Sequence, residues 1–157
     1  MEERLKVFIA ELDAQQREIR KLHSSVHEKS VLLKSDLKNE DLTNSLAYKL
    51  HNLYSSYEDL FKLIARFFEN QIHDLEAGYH SGLINRMKVN IEGVRPSLVS
   101  DKSFKLIDEL RGFRHVFRHA YSYELDVERV LRLSEKATLL LDIFGKDYAL
   151  FKDTLLQ

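Results

Sequence analysis

Hydrophobic residues along this chain recur three and four positions apart with charged residues between them, the period of a helix that buries one stripe. Leu5, Phe8, Ile9, Leu12, Ile19, Leu22, Val26 and Leu33 mark such a stripe over residues 2 to 34. Its middle, DAQQREIRKLHSSVHEKS, is polar, which suits a long helix buried along one line or exposed at its far end. LKSDLKNEDLT reads as a turn, with Asn39 or Asp41 as the next N-cap. From 41 to 75 the pattern strengthens: Leu42, Leu46, Leu50, Leu53, Tyr57, Leu60, Phe61, Ile64, Phe67, Phe68 and Ile72 form one apolar line. A stripe that long predicts a bundle helix that also meets another subunit.

EAGYHSG, with Gly78 and Gly82, punctuates the pattern before a shorter helix over 83 to 91. In EGVRPSLVS, Pro96 stops or kinks the chain, and Ser100 or Asp101 caps a helix over 101 to 120. SYELD is a break, with Asp126 as a cap. The final helix starts near 127 on Val127, Val130, Leu131, Ser134, Ala137, Leu141 and Phe144. Gly145 marks its end or a kink, and DYALFKDTLLQ extends it as further helix. There is no internal repeat, linker or low-complexity tract. The expectation is an all-α chain, residues 1 to 157 forming a single domain of four or five helices.

Composition narrows what such a bundle does. The 157 residues include no Cys, which removes disulfides and thiolate zinc sites and suits a reducing cytoplasm. MEERLKVFIAELD is acidic at once and lacks a signal-peptide core, and no run is long enough to span a bilayer. A cytoplasmic protein without a membrane partner is expected. With 24 basic and 25 acidic side chains, the chain is not one that coats nucleic acid over its whole surface. A small basic cleft is still compatible with that balance.

The cations gather in RGFRHVFRHAYSY, residues 111 to 123. Advancing about 100° per residue puts Arg111, Arg114, His115 and Arg118 on one side of a helix, with His119 at its far edge. Leu106, Leu110, Phe113, Val116, Phe117 and Ala120 occupy the other side. Like charges at these spacings disfavour the helix by a few tenths of a kcal/mol per pair, roughly, so an anion should offset them. Asp108 and Glu109 are near enough for internal pairing. Phosphate is the other candidate, because an Arg fork matches its oxygens bidentately. An imidazole exchanges protons near neutrality, and RNA carries its own nucleophile in the 2′-hydroxyl. His119 as base with Arg114 and Arg118 as phosphate clamp would then suffice without a metal or cofactor. Arg114 and His119 are five apart, about 140° round the helix, so they converge either if the helix loosens before Tyr121 or if a second protomer completes the site. A solvated arginine face or an internal ion-pair network is the other reading of the same residues.

Other residues invite less. His23 and His27 are four apart, but two ligands without a committed carboxylate read as surface histidines, and no metal site is expected. Tyr54 and Tyr57 read as core or subunit-interface residues, and Arg95-Pro96 as a turn. Ser122 and Tyr123 follow the cationic helix and suit either a phosphate or base contact or packing at the junction.

RHVFRHAY, residues 114 to 121, resembles the signature of HEPN-domain proteins: Arg, a polar residue, three variable positions, His, one variable position, Tyr. LAYKLHNLYSSYEDLFKLIARFF and YHSGLINRMKVNIEGVRPSLVSDKSFKLIDELRGFRHVFRHAY are similar to HepT-like toxins of prokaryotic toxin–antitoxin pairs. The similarity covers roughly residues 40 to 140. It implies an up-and-down, HEPN-like helical bundle that dimerises, with the motif helices of two subunits forming one cleft. It implies a metal-independent endoribonuclease acting on RNA, with Arg114 and His119 catalytic. His115 takes the intervening polar position. Tyr121 takes the tyrosine that a small nucleotidyltransferase antitoxin modifies with AMP, which would fill the substrate's place with charge and bulk. The alternative is a non-catalytic helical dimer that binds protein or RNA through the same face.

Overall fold

In the computed structural model, which describes residues 2–69, 79–119 and 125–157, each hydrophobic stripe becomes one helix. They are α1 (Glu2–Lys34), α2 (Glu40–Glu69), α3 (Tyr79–Met87), α4 (Asp101–Arg118) and α5 (Val127–Leu155). Together they make an up-and-down all-α bundle. Among the described residues the only β pairing is the isolated bridge between Ile91 and Arg95. None of the described helices is long and apolar enough to cross a membrane.

The centre of the bundle is α2, which packs against each of the other four helices. Its apolar line Leu46, Leu50, Leu53, Tyr57, Leu60, Phe61 and Ile64 is fully buried. The polar middle of α1 has a specific cause. Its buried residues are Phe8, Leu12, Gln16, Ile19, His23, Val26, Ser30 and Leu33, one stripe in which polar and apolar residues alternate along the seam. His23 is therefore not a surface histidine. Its Nε2 and the Tyr57 hydroxyl are joined at 2.7 Å inside the bundle. Beside it, Gln15 Nε2 donates to both the carbonyl and the hydroxyl of Ser56 at 2.9 Å.

This burial has a pH consequence. Enclosure pushes the His23 pKa down to about 4. The unfolded chain then binds the proton more readily, so the contribution is fully present above the ordinary value near 6.5 and is lost as pH falls towards 4. Urea unfolding should show stability declining across that window by up to about 3 kcal/mol from this group. His23→Gln should flatten that segment of the profile. An unchanged slope in the variant would mean that another group titrates there.

Caps place the helix ends. Asn39 Oδ1 accepts from the Leu42 amide at 3.1 Å, so Asn39 rather than Asp41 opens α2. Ser100 rather than Asp101 caps α4, accepting from the Ser103 amide. Its own amide and hydroxyl both donate to Asp147 of α5 at 2.9 Å, which ties the start of α4 to its neighbour. Asp126 caps α5 through the Glu128 amide. Gly145 neither ends nor interrupts α5, which runs on to Leu155. Gly82 is likewise inside α3 rather than in the turn, and α3 starts before and ends short of its expected span of 83 to 91. Residues 70 to 78, including the last expected turn of the second helix and Gly78, lie outside the described residues.

The connection from α3 to α4 is held by Arg95, which sequence alone reads as a turn residue. Its side chain is completely enclosed. It donates to the carbonyls of Val89, Arg86 and Pro96 and meets the Glu69 carboxylate at 3.1 Å. Gly93, at φ +77°, supplies the left-handed residue that lets Ile91 and Arg95 close on one another.

Candidate functional site

The cationic segment forms the second half of α4. Phe113 is buried, and Val116 and Phe117 pack against the core, which turns Arg111, His115 and Arg118 away from it. The arginine face does not point uniformly outward, however. Arg114 reaches across to α2, where its Nη1 donates to both oxygens of Glu58 at 3.3 and 3.4 Å. The pair is largely enclosed: 15% of the Arg114 side chain and 4% of the Glu58 side chain are exposed. Lys62 Nζ approaches the same carboxylate at 3.3 Å. The guanidinium also sits 5.7 Å from the centre of the Tyr54 ring, and its Nε is buried without a hydrogen-bond partner.

Tyr54 belongs to this pocket. Its oxygen lies beside Glu58 without a hydrogen bond of good geometry. Burial first, then the Glu58 charge, drives its pKa far upward, so it is a neutral phenol at working pH.

The remaining cations divide. Arg111 Nε donates to Asp108 at 2.8 Å, the internal pairing its sequence neighbourhood offers. Glu109, the other nearby acid, instead pairs with Lys136 on α5. Arg118 is exposed, and no hydrogen bond or ion pair joins it to another described residue. His119 ends α4 as its C-cap, with the amide bonded back to Val116 in a tightened last turn. His115 and His119 are both exposed, and their rings lie 4.4 Å apart at 59°. The fold thus brings the two histidines together. No hydrogen bond, ion pair or ring contact joins Arg114 to His119 within one chain. Ala120 and Tyr121 to Tyr123 lie outside the described residues.

One residue of this corner has no role assigned from sequence. His51 of α2 stacks on Phe117 at 5.2 Å, and its Nδ1 is buried without a partner. Burial, then the charges of Arg114 and Arg118, lowers its pKa and keeps the ring neutral. No local motif could have found it, because its neighbours come from a helix sixty positions on. Tyr48, one turn earlier, is exposed and tilts against Phe117 at 6.3 Å.

Among the described residues, no group of three or more His, Cys, Asp or Glu is arranged to hold a metal ion. His23 and His27 do not act as a pair, since His23 is committed to Tyr57. The corner can therefore supply an imidazole pair for proton transfer, a guanidinium without an ion pair among the described residues, and one guanidinium fixed by a buried carboxylate.

A family model described as HepT-like protein matches residues 45–155 of the chain. No curated protein and no solved structure matches it.

Proposed function

The chain belongs to the HepT-like protein family, and from that premise we propose that it is a metal-independent endoribonuclease working as a homodimer. The observation that carries the reading is the end of α4, where exposed His115 and His119 meet at 4.4 Å beside Arg118, which has no ion pair among the described residues. His119 removes the proton of the RNA 2′-hydroxyl, whose oxygen attacks the adjacent phosphorus; the P–O5′ bond breaks, the 5′-oxygen leaves with a proton taken from solvent, and a cyclic phosphate forms. His115, Arg118 and Arg111 hold phosphoryl oxygens and take up the charge that develops on them. Arg114, oriented by Glu58, acts on the same phosphate when a second protomer brings the two α4 ends together. RNA is the substrate because DNA lacks the attacking hydroxyl.

Tyr121 is the position at which a nucleotidyltransferase antitoxin would attach AMP. Added phosphates beside Arg118 would compete with substrate by charge pairing. Residues 1 to 157 act as one domain in this scheme.

Purified protein incubated with RNA in EDTA should cut it and leave cyclic phosphate ends. His119→Ala should slow cleavage by about 10²- to 10⁴-fold, the scale of a lost general base. RNA left intact at high protein concentration would overturn the nuclease reading.

A second reading has its own support. Arg111 and Arg114 are both paired with internal carboxylates, as a structural network would have them. On this reading the chain is a non-catalytic dimer that binds RNA or protein through the α4 face. RNA retained but uncut by wild-type protein would favour it.

A further inference from the structure

On the opposite side of α4 from Arg114, a cleft of about 410 Å³ opens between α4 and α5. Glu109, Gly112 and Phe113 line it from α4, and Arg129, Arg132 and Lys136 from α5. Arg129 and Arg132 are exposed, and neither has an ion pair among the described residues. Of the acids nearby, Glu109 pairs with Lys136, Glu135 faces Lys34 and Asp126 caps α5, while exposed Glu128, four positions before Arg132, makes no ion pair among the described residues. Two guanidiniums one turn apart therefore line the cleft, and no carboxylate among the described residues is ion-paired to either.

Gly112 gives a second, independent pointer. Glycine inside a helix disfavours it relative to alanine, and here no packing requirement explains the choice. A Cβ built on Gly112 would meet nothing within 4 Å, so no neighbouring helix needs the missing methyl. What the glycine leaves is a bare strip of backbone at the cleft wall, open to the close approach of something that is not part of this chain.

The cleft also leads somewhere. The Ser100–Asp147 and Glu109–Lys136 links run α4 and α5 antiparallel. Stepping along from Glu109–Lys136 brings Arg132 level with Phe113 and Arg129 level with Val116. His119 is less than one turn beyond Val116. It is also seven residues on from Gly112, within about 20° of the same strip of the helix. We infer that the α4–α5 groove is a track for the phosphodiester backbone of an RNA strand, gripped by Arg129 and Arg132, passing over Gly112 and delivering the strand to His119. Guanidinium forks match phosphate oxygens, and a bare backbone admits a sugar–phosphate chain closely. The track rests on the RNA-directed reading of this protein, but it does not require cleavage.

Its test measures binding alone. A short fluorescein-labelled oligouridylate with 2′-O-methyl groups lacks the attacking hydroxyl and cannot be cut. Its affinity for the full chain should fall about tenfold in the double variant Arg129→Ala/Arg132→Ala. The slope of log affinity against log salt should shrink by about 0.7 for each contact removed, so about 1.4 for the pair. Gly112→Leu, which fills the groove wall, should weaken binding comparably while the unfolding temperature stays level or rises. Arg4→Ala/Arg20→Ala, which removes two exposed cations from α1, should leave the affinity unchanged. Unaltered affinity and salt slope in the groove variants would overturn the track. So would groove-dependent binding of a polyglutamate peptide with none of the RNA analogue, which would make the groove a protein-docking site. The two proposals fail separately. Groove-dependent binding with natural RNA left intact removes the nuclease and keeps the track; cleavage with groove variants binding normally does the reverse.

Discussion

Replacing Arg95 with alanine is expected to lower unfolding free energy by about 3–5 kcal/mol, the cost of removing one partner from an enclosed ion pair. Its side chain has no exposed surface and meets Glu69 at 3.1 Å. Alanine would also strip donors from the Val89, Arg86 and Pro96 carbonyls at one stroke. Glu69 would keep Arg86, at 2.6 Å, which limits the loss on the carboxylate side. Lysine should rescue little, because a single ammonium cannot span three carbonyls and a carboxylate in the plane of a guanidinium fork. Urea unfolding at constant m-value is the measurement. A loss below about 1 kcal/mol would show that the α3–α4 connection is held by its apolar residues instead.

Glu58→Gln is expected to cost about 3 kcal/mol and to disturb the site as well. It keeps the shape of the side chain but leaves the Arg114 guanidinium, only 15% exposed, without its anion. The Arg114 Nε already lacks a partner, so little else nearby can replace the carboxylate. Pairing the change with Arg114→Met should recover much of the stability, since both buried charges then go together. If the double variant is instead as unstable as the two single losses added, the pair is not a coupled unit. RNA cleavage should be low in both the single and the double variant, so stability and activity separate in the double one.

The helices were legible because their signals are local. Stripes at helical spacing located α1, α2, α4 and α5, whereas α3 lies four residues earlier than its expected span. Asp126 announced one start by residue type, and Ser100 was one of two candidates for another. What was not legible depends on partners far along the chain. Glu58 gives no hint in its own neighbourhood that it will hold Arg114, because the pairing needs α2 and α4 already docked. Arg95 beside Pro96 reads as a turn, and its burial follows only from the carbonyls that converge on it. His23 was placed on the surface because the α1 seam alternates apolar and polar residues, which hides a buried position among hydrophilic neighbours. At the site, the helical wheel separated cations from core residues correctly. It could not say that Arg114 would turn inward while His115, Arg118 and His119 stayed out, nor that His51 would join them from α2.

Three consecutive residues of α2 each make a directional link at the same height. Ser56 accepts from Gln15, Tyr57 joins His23, and Glu58 holds Arg114. Two of these links reach α1 and the third reaches α4, so α2 is held on two sides against rolling about its axis. Arg114 is thereby registered to the body of the protein. Among the described residues, the last turn of α4 beyond it makes no side-chain hydrogen bond or ion pair to another helix. Were the proposed RNA to bind at this end, the ordering cost among the described residues would fall first on the side chains of His115, Arg118 and His119 rather than on the bundle.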